Sequence, residues 1–154
     1  MKRLFAYVAL AAAIATAPAL AEPGQDAWHH VNAGMGQFEG RYMKTDGMTV
    51  AYGCTGHSTS LSFSIPGNQA TKGYGRLAVD GIVVHEGGVS YGSAADTTGM
   101  SFEASLNGHD WQKEQVNKII DAIAAGGELT LDLPNQTRFA IPLEDSAGIR
   151  SCRI

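Results

Sequence analysis

The chain is short of the residue patterns that most directly betray a chemistry. It has two cysteines in 154 residues. There is no Cys-x-x-Cys and no His/Cys cluster, so neither a thioredoxin-type redox motif nor a structural zinc motif is present. No G-x-S-x-G elbow, H-E-x-x-H helix, EF-hand loop or G-x-x-x-x-G-K-[ST] phosphate loop occurs either. Charged residues make up 17% and the formal net charge is −4. Beyond the first three residues Lys and Arg form no cluster, Arg150 and Arg153 near the end being as close a basic pair as any. A net acidic chain without a basic patch is a poor partner for a phosphate backbone, so no nucleic-acid role is expected.

What is present begins with a leader. Met1-Lys2-Arg3 is followed by an uncharged stretch over 4–17 and then Pro18-Ala19-Leu20-Ala21. A basic start, an apolar middle and a small-x-small end predict a cleaved signal peptide over 1–21. The apolar stretch is shorter than the roughly 20 residues needed to span a bilayer, and no other run is long enough. No membrane span is therefore expected after cleavage. No lipobox cysteine sits at the cleavage site, and the Ala-rich leader has a bacterial look, so the expected location is the periplasm, or secretion. Removing Lys2 and Arg3 leaves 9 basic against 15 acidic residues, about −6 with His neutral. Residues 22–154 are one domain's worth of chain, divided here into an N-terminal arm over 22–36 and a single β-rich domain over 37–154.

An even number of cysteines in an oxidising compartment favours a bridge, here between Cys54 and Cys152. It would close a loop of about 100 residues, for which chain entropy gives roughly 4–5 kcal/mol. Two separate thiols, or an intermolecular bridge, are the alternatives.

Short β-like runs dominate the rest. Leu61, Phe63 and Ile65 alternate with Ser60, Ser62 and Ser64, so period 2 puts the apolar set on one face. Asp46-Gly47 and Asp80-Gly81 are hairpin signals. Gly87-Gly88 and the small polar run over 90–99 predict a turn or an exposed loop. Val116, Ile119, Ile120 and Ile123 fall at i, i+3, i+4 and i+7, which predicts one helix over about 111–125. Asp110 would be its N-cap, Trp111 would open its apolar stripe, and Gly126-Gly127 would supply a left-handed C-cap. Leu129, Leu131 and Leu133 match Phe139, Ile141 and Leu143 as a closing hairpin around Pro134-Asn135-Gln136. The segment over 22–36 has no clear period and reads as an arm or a short helix near Trp28. The fold class is β-rich: all-β with one helix, or α+β, with antiparallel sheets in a sandwich.

Candidate chemistry is sparse. His57-Ser58 lies beside Ser60, with Asp80 and His85 further on, but neighbours on a strand point to opposite faces and adjacency makes no triad. His29-His30 is the only His pair, and His57, His85 and His109 show no ligand spacing. Glu144-Asp145 reads as an ordinary acidic turn. No catalytic residue, metal or cofactor is expected. Trp28, Tyr74 and Tyr91 fall in inferred loops or ends. They are the candidate binding surface, aromatics being enriched in recognition sites, with the edge of the core as their other reading.

The C-terminal third carries a resemblance. The helix over 111–125, Gly127-Glu128-Leu129-Thr130-Leu131-Asp132-Leu133, then Phe139-Ala140-Ile141-Pro142-Leu143, then Ser146-Ala147-Gly148-Ile149-Arg150-Ser151-Cys152 resemble a layout of exported α-proteobacterial proteins. The invasion-associated locus B family and related uncharacterised periplasmic families share it. The pattern departs at Glu144-Asp145-Ser146-Ala147, where such tails have Gly-Ser or Gly-Phe and a second small residue. The resemblance implies a β-rich periplasmic domain without a catalytic site, sometimes linked to host interaction. It carries over no residue beyond the cysteine.

The expected function is a non-enzymatic periplasmic protein with a binding or envelope-accessory role and a protein partner. One alternative is an inhibitor or immunity protein for a periplasmic toxin or hydrolase, with the segment over 90–99 as a plugging loop. Another is an enzyme whose site is assembled from scattered residues, such as His57, His85 or His109 with a carboxylate.

Overall fold

The alternation of serine with large apolar residues becomes a nine-residue strand whose two faces differ as the pattern requires. Thr59, Leu61, Phe63 and Ile65 are buried, while Ser58, Ser60, Ser62 and Ser64 face outward. In the computed structural model, which describes residues 26–69 and 73–154, this strand lies near the centre of the larger of two antiparallel sheets. The expected leader and its cleavage site lie outside the described residues.

In chain order the strands are β1 (Trp28–Gly34), β2 (Gln37–Met43), β3 (Thr49–Cys54), β4 (Ser58–Pro66), β5 (Tyr74–Val79), β6 (Ile82–Gly88), β7 (Ser90–Gly92) and β8 (Thr97–Ser105). Helix α1 (Asp110–Ala125) follows, then β9 (Glu128–Asp132), β10 (Arg138–Pro142) and a closing 3₁₀ helix (Ser146–Cys152). The six-stranded sheet has the order β1-β2-β3-β4-β8-β7 and the four-stranded sheet the order β10-β9-β5-β6. Inward residues of both sheets join Val116, Ile119, Ile120 and Ile123 of the helix in one hydrophobic cluster. Each fully buried Leu, Ile or Phe there contributes roughly 1.5–3 kcal/mol of transfer free energy. This is the β-rich, antiparallel architecture with a single main helix that the periodicity predicts, and Cys54 and Cys152 are bridged across it, with Cα atoms 5.3 Å apart.

The structure differs from the sequence expectation in several places. Residues 28–34 are neither arm nor helix but strand β1, paired with β2 from Trp28↔Tyr42 to Gly34↔Gln37. β1 is an edge strand, held by its backbone ladder and by Trp28, whose Nε1 donates to the Pro142 carbonyl at 3.1 Å. Apolar periodicity is therefore not what specifies it. Residues 90–99 form a hairpin with its turn over 93–96, not one continuous loop: β7 pairs with β8 in the register Ser90↔Gly99, Tyr91↔Thr98, Gly92↔Thr97. Gly87 and Gly88 lie within β6 rather than in a turn.

The helix ends also differ. His109, in extended conformation, precedes the first turn without a side-chain cap, and Asp110 instead pairs with Lys113 at 2.9 Å. That contact holds the Asp110 carboxyl below its usual range. Gly126 has φ −87°, so it is no left-handed cap. A Cβ there would lie 2.2 Å from Val79 Cγ1, so the glycine serves close packing against β5. The backbone N–H groups of Gly127 and Glu128 are taken up by the Asp80 carboxylate, from the β5–β6 turn, at 2.9–3.1 Å. Trp111 does not open the apolar stripe; it is 62% exposed. At 100° per residue it lies roughly 130° from the centre of the buried set, on the other side of the helix.

A cross-strand row fastens the 3₁₀ helix. His30, Gly40 and Tyr52 are register partners on β1, β2 and β3. Gly40 has no side chain, so the Tyr52 ring lies over it; a Cβ there would be 2.5–2.6 Å from ring atoms. The Tyr52 hydroxyl thereby reaches His30 Nδ1 at 2.5 Å, and His30 Nε2 meets the Asp145 carbonyl at 2.7 Å. A carbonyl only accepts, so Nε2 carries a proton, and in the neutral imidazole Nδ1 is the acceptor for the tyrosine. Burial pushes the Tyr52 hydroxyl up to about 12, which keeps it a donor.

Candidate functional site

Strand β5 presents two kinds of side chain. Leu77 and Val79 point into the core, whereas Tyr74 and Arg76, at even spacing, point outward from the smaller sheet. The pairing places Arg76 opposite Glu86 on β6 and opposite Asp132 on β9, and Asp132 opposite Arg138 on β10. A single row across all four strands thus reads Glu86, Arg76, Asp132, Arg138, alternating in sign. Directly opposed unlike charges are the favourable cross-strand arrangement.

The row is held by contacts. Arg138 donates from Nε to Asp132 Oδ1 at 2.5 Å and from Nη2 to Oδ2 at 3.0 Å, the bidentate geometry of a guanidinium on a carboxylate. Arg76 Nε lies 3.7 Å from Glu86 Oε2. The Arg138 hydrogen bonds hold the Asp132 carboxyl below its usual range, with the Arg76 charge adding to the effect, and the same hydrogen bonds raise Arg138. These residues, with Gln136 and Tyr74, line an open cleft of about 400 Å³. That volume falls within the usual range for small-ligand sites. Tyr74 is 72% exposed. Its register partner on β6 is Gly88, so no side chain covers it from directly across that strand. Gln136, in the β9–β10 turn, has φ +68°, a left-handed conformation that Asn or Gly would adopt more readily.

The other two sequence candidates lie elsewhere. Trp28 is half-buried at the β1 edge, stacked on His30 and tilted against Tyr42, and its indole bonds to Pro142. It ties the two sheets together at the rim of the core. Tyr91 sits in β7 at the opposite edge of the same sheet, about 24 Å away at the usual strand spacing. Its hydroxyl donates to Asp96 Oδ1 at 2.8 Å within the β7–β8 hairpin, a contact that raises its pKa. Trp28 and Tyr91 therefore share no patch, and Tyr74 belongs to the other sheet.

The histidines do not converge either. His57 is exposed in the β3–β4 turn, where Thr55 Oγ1 accepts from the backbone N–H groups of His57 and Ser58. His85 packs edge-on against Phe102 and its Nδ1 lies 2.5 Å from Gln115 Nε2. Burial, with the Lys118 charge adding to it, lowers the His85 pKa. His109 stacks on Trp111 at the helix start. Among the described residues no group of three or more His, Cys, Asp or Glu side chains could hold a metal ion. Glu144 and Asp145 precede the 3₁₀ helix, with Asp145 left-handed at φ +64°.

Arg76, Asp132 and Arg138 were not singled out by motif. The closing hairpin was expected, but in the structure Leu131 faces Phe139, and that register is what sets Asp132 opposite Arg138. The pairing of β5 with β9, which brings Arg76 and Tyr74 beside them, joins segments about 55 residues apart and has no local signature. No family model matches the chain, and no curated protein or solved structure matches it either.

Proposed function

We propose that this chain is an exported, periplasmic, non-enzymatic protein that acts by binding, and that the Tyr74 cleft is its binding face. The observation that carries the reading is the cleft itself: an aromatic side chain 72% exposed, beside a row of alternating charges in which Arg138 locks bidentate onto Asp132. Rigid aromatic and planar polar groups are what recognition surfaces use. The same locking argues against acid–base catalysis there. The Asp132 carboxylate, held low by Arg138, is a fixed acceptor at neutral pH and a poor proton donor.

The leader pattern and the intramolecular Cys54–Cys152 bridge support an oxidising compartment. Among the described residues no helix is long and apolar enough to cross a membrane. The resemblance of the C-terminal third to invasion-associated locus B proteins supports the same assignment. The inhibitor reading finds less support, since the segment that suggested a plugging loop is a paired hairpin tied by Tyr91 and Asp96.

Two measurements test the proposal. Intact mass of the chain recovered from the periplasmic fraction of expressing cells should match residues 22–154 with one disulfide. Affinity capture from envelope extract should retain a component that the Tyr74→Ala variant loses. Recovery of the uncleaved chain in the cytoplasm, or capture identical for both proteins, would defeat it.

A further inference from the structure

We infer that the Tyr74 cleft takes a neutral, hydroxyl-rich saccharide. This rests on the binding reading above and names the ligand class. Charge decides first. Arg76 and Arg138 stand against Glu86 and Asp132, so the cleft row is neutral as a whole and each charge is spoken for by a neighbour. An anionic ligand would have to compete with Asp132 for a bidentate guanidinium and would meet two carboxylates. A cationic one would have to compete with Arg138. Displacing either partner of the Arg138–Asp132 pair gives up a bidentate, charge-assisted contact before the ligand gains one. A neutral ligand disturbs neither.

Hydrogen-bonding capacity decides next. The Arg138–Asp132 pair takes two of the five guanidinium N–H donors, leaving the others for a ligand. The Gln136 amide, the Tyr74 hydroxyl and the remaining carboxylate lone pairs add donors and acceptors around one open space. Directional donors and acceptors in both senses match the hydroxyl groups of a sugar. Shape decides last. The exposed Tyr74 ring offers a flat apolar surface with an electron-rich face, and the C–H face of a pyranose is the polar ligand surface that lies flat on it. An apolar peptide would use the ring and leave the planar polar groups unmatched.

The test uses protein recovered from cells expressing the full sequence. Chitotetraose and maltopentaose are titrated calorimetrically, with a heparin tetrasaccharide and inorganic phosphate as charged comparisons. Saturable binding of a neutral oligosaccharide, little changed by ionic strength, is expected. Tyr74→Ala should weaken it about tenfold, the scale of one lost aromatic contact. Tyr74→Phe should stay within about twofold, since the ring remains. No neutral binding, preference for the charged probes, or indifference to Tyr74→Ala would overturn the inference. A photo-crosslinking residue placed at position 74 in the expressing cells separates the two levels of failure. A glycan adduct supports the saccharide. A protein adduct overturns it and leaves the binding reading standing. No adduct, together with a silent titration, overturns both.

Discussion

Replacing both Cys54 and Cys152 by alanine should cost about 3–5 kcal/mol of stability. The bridge spans 98 residues of sequence, and for a loop of that size the chain-entropy relation gives about 4.7 kcal/mol. The loss should fall on the unfolded chain, because the folded end of the molecule has other fastenings. Thr59 Oγ1 donates to the Cys152 carbonyl at 2.7 Å, and Ser146 Oγ to the Ile123 carbonyl at 2.7 Å. Asn117 exchanges two hydrogen bonds with the backbone of Ile154, and Ile149 is fully buried. The double variant should therefore keep its native circular dichroism while its melting temperature falls by about 10–15 °C. In urea the midpoint should drop and the m-value should rise, since an uncrosslinked denatured chain exposes more surface. Against a typical total of about 5–15 kcal/mol, the bridge would account for about a fifth of the stability or more. A shift below about 1 kcal/mol would refute the reasoning. So would an unchanged midpoint with faster hydrogen exchange confined to 146–154, which would make the bridge a local clip.

Three further outcomes are expected. The Tyr52 hydroxyl, pushed up to about 12, holds its proton more tightly folded than at its unfolded value of about 10; its contribution is complete below that pH and lost as pH rises towards 12. The gap in melting temperature between wild type and Tyr52→Phe should therefore narrow over that window. Asp80 is left-handed at φ +50°, so Asp80→Gly relieves backbone strain while removing the acceptor for Gly127 and Glu128. A net loss of about 1–2 kcal/mol in urea unfolding is expected, and a gain would show that the carboxylate contributes less than the strain it brings. Gln136→Gly, also at a left-handed position, should gain up to about 1 kcal/mol in the same assay and weaken capture by the cleft. A loss of stability there would mean the glutamine side chain holds the turn.

Much of the fold was legible because side-chain period and burial coincide. The serines between Leu61, Phe63 and Ile65 assigned the faces of β4, and the spacing from Val116 to Ile123 assigned the buried side of α1. The same arithmetic, carried back one further turn, would have placed Trp111 in solvent. β1 was not legible because only Trp28 and His29 are even half-buried, the residues from His30 to Gly34 are exposed, and its stability lies in main-chain pairing. Nor was the helix exit, where a side chain from a distant turn takes the role expected of a left-handed glycine. The cleft was half legible. Tyr74 stood out as an aromatic in an inferred loop, whereas matching the three leucines to Phe139, Ile141 and Leu143 sets Asp132 opposite Ala140, two residues from its true partner Arg138. The row became a site only when β5 and β9 paired, which depends on the whole chain being folded.

The slot between Gly40 and Gly148 gives two silent positions a reach that their own atoms do not have. A Cβ at 148 would sit 2.8 Å from the His30 ring, and one at 40 would collide with Tyr52. Either methyl group would push apart the pair that meets the Asp145 carbonyl, and the disturbance would travel to the segment carrying Cys152. In a library of every single substitution, these two glycines should tolerate as little as the buried isoleucines of α1. The intolerance would come from what must pass over them, and a tally of contacts made by residues 40 and 148 would miss it entirely.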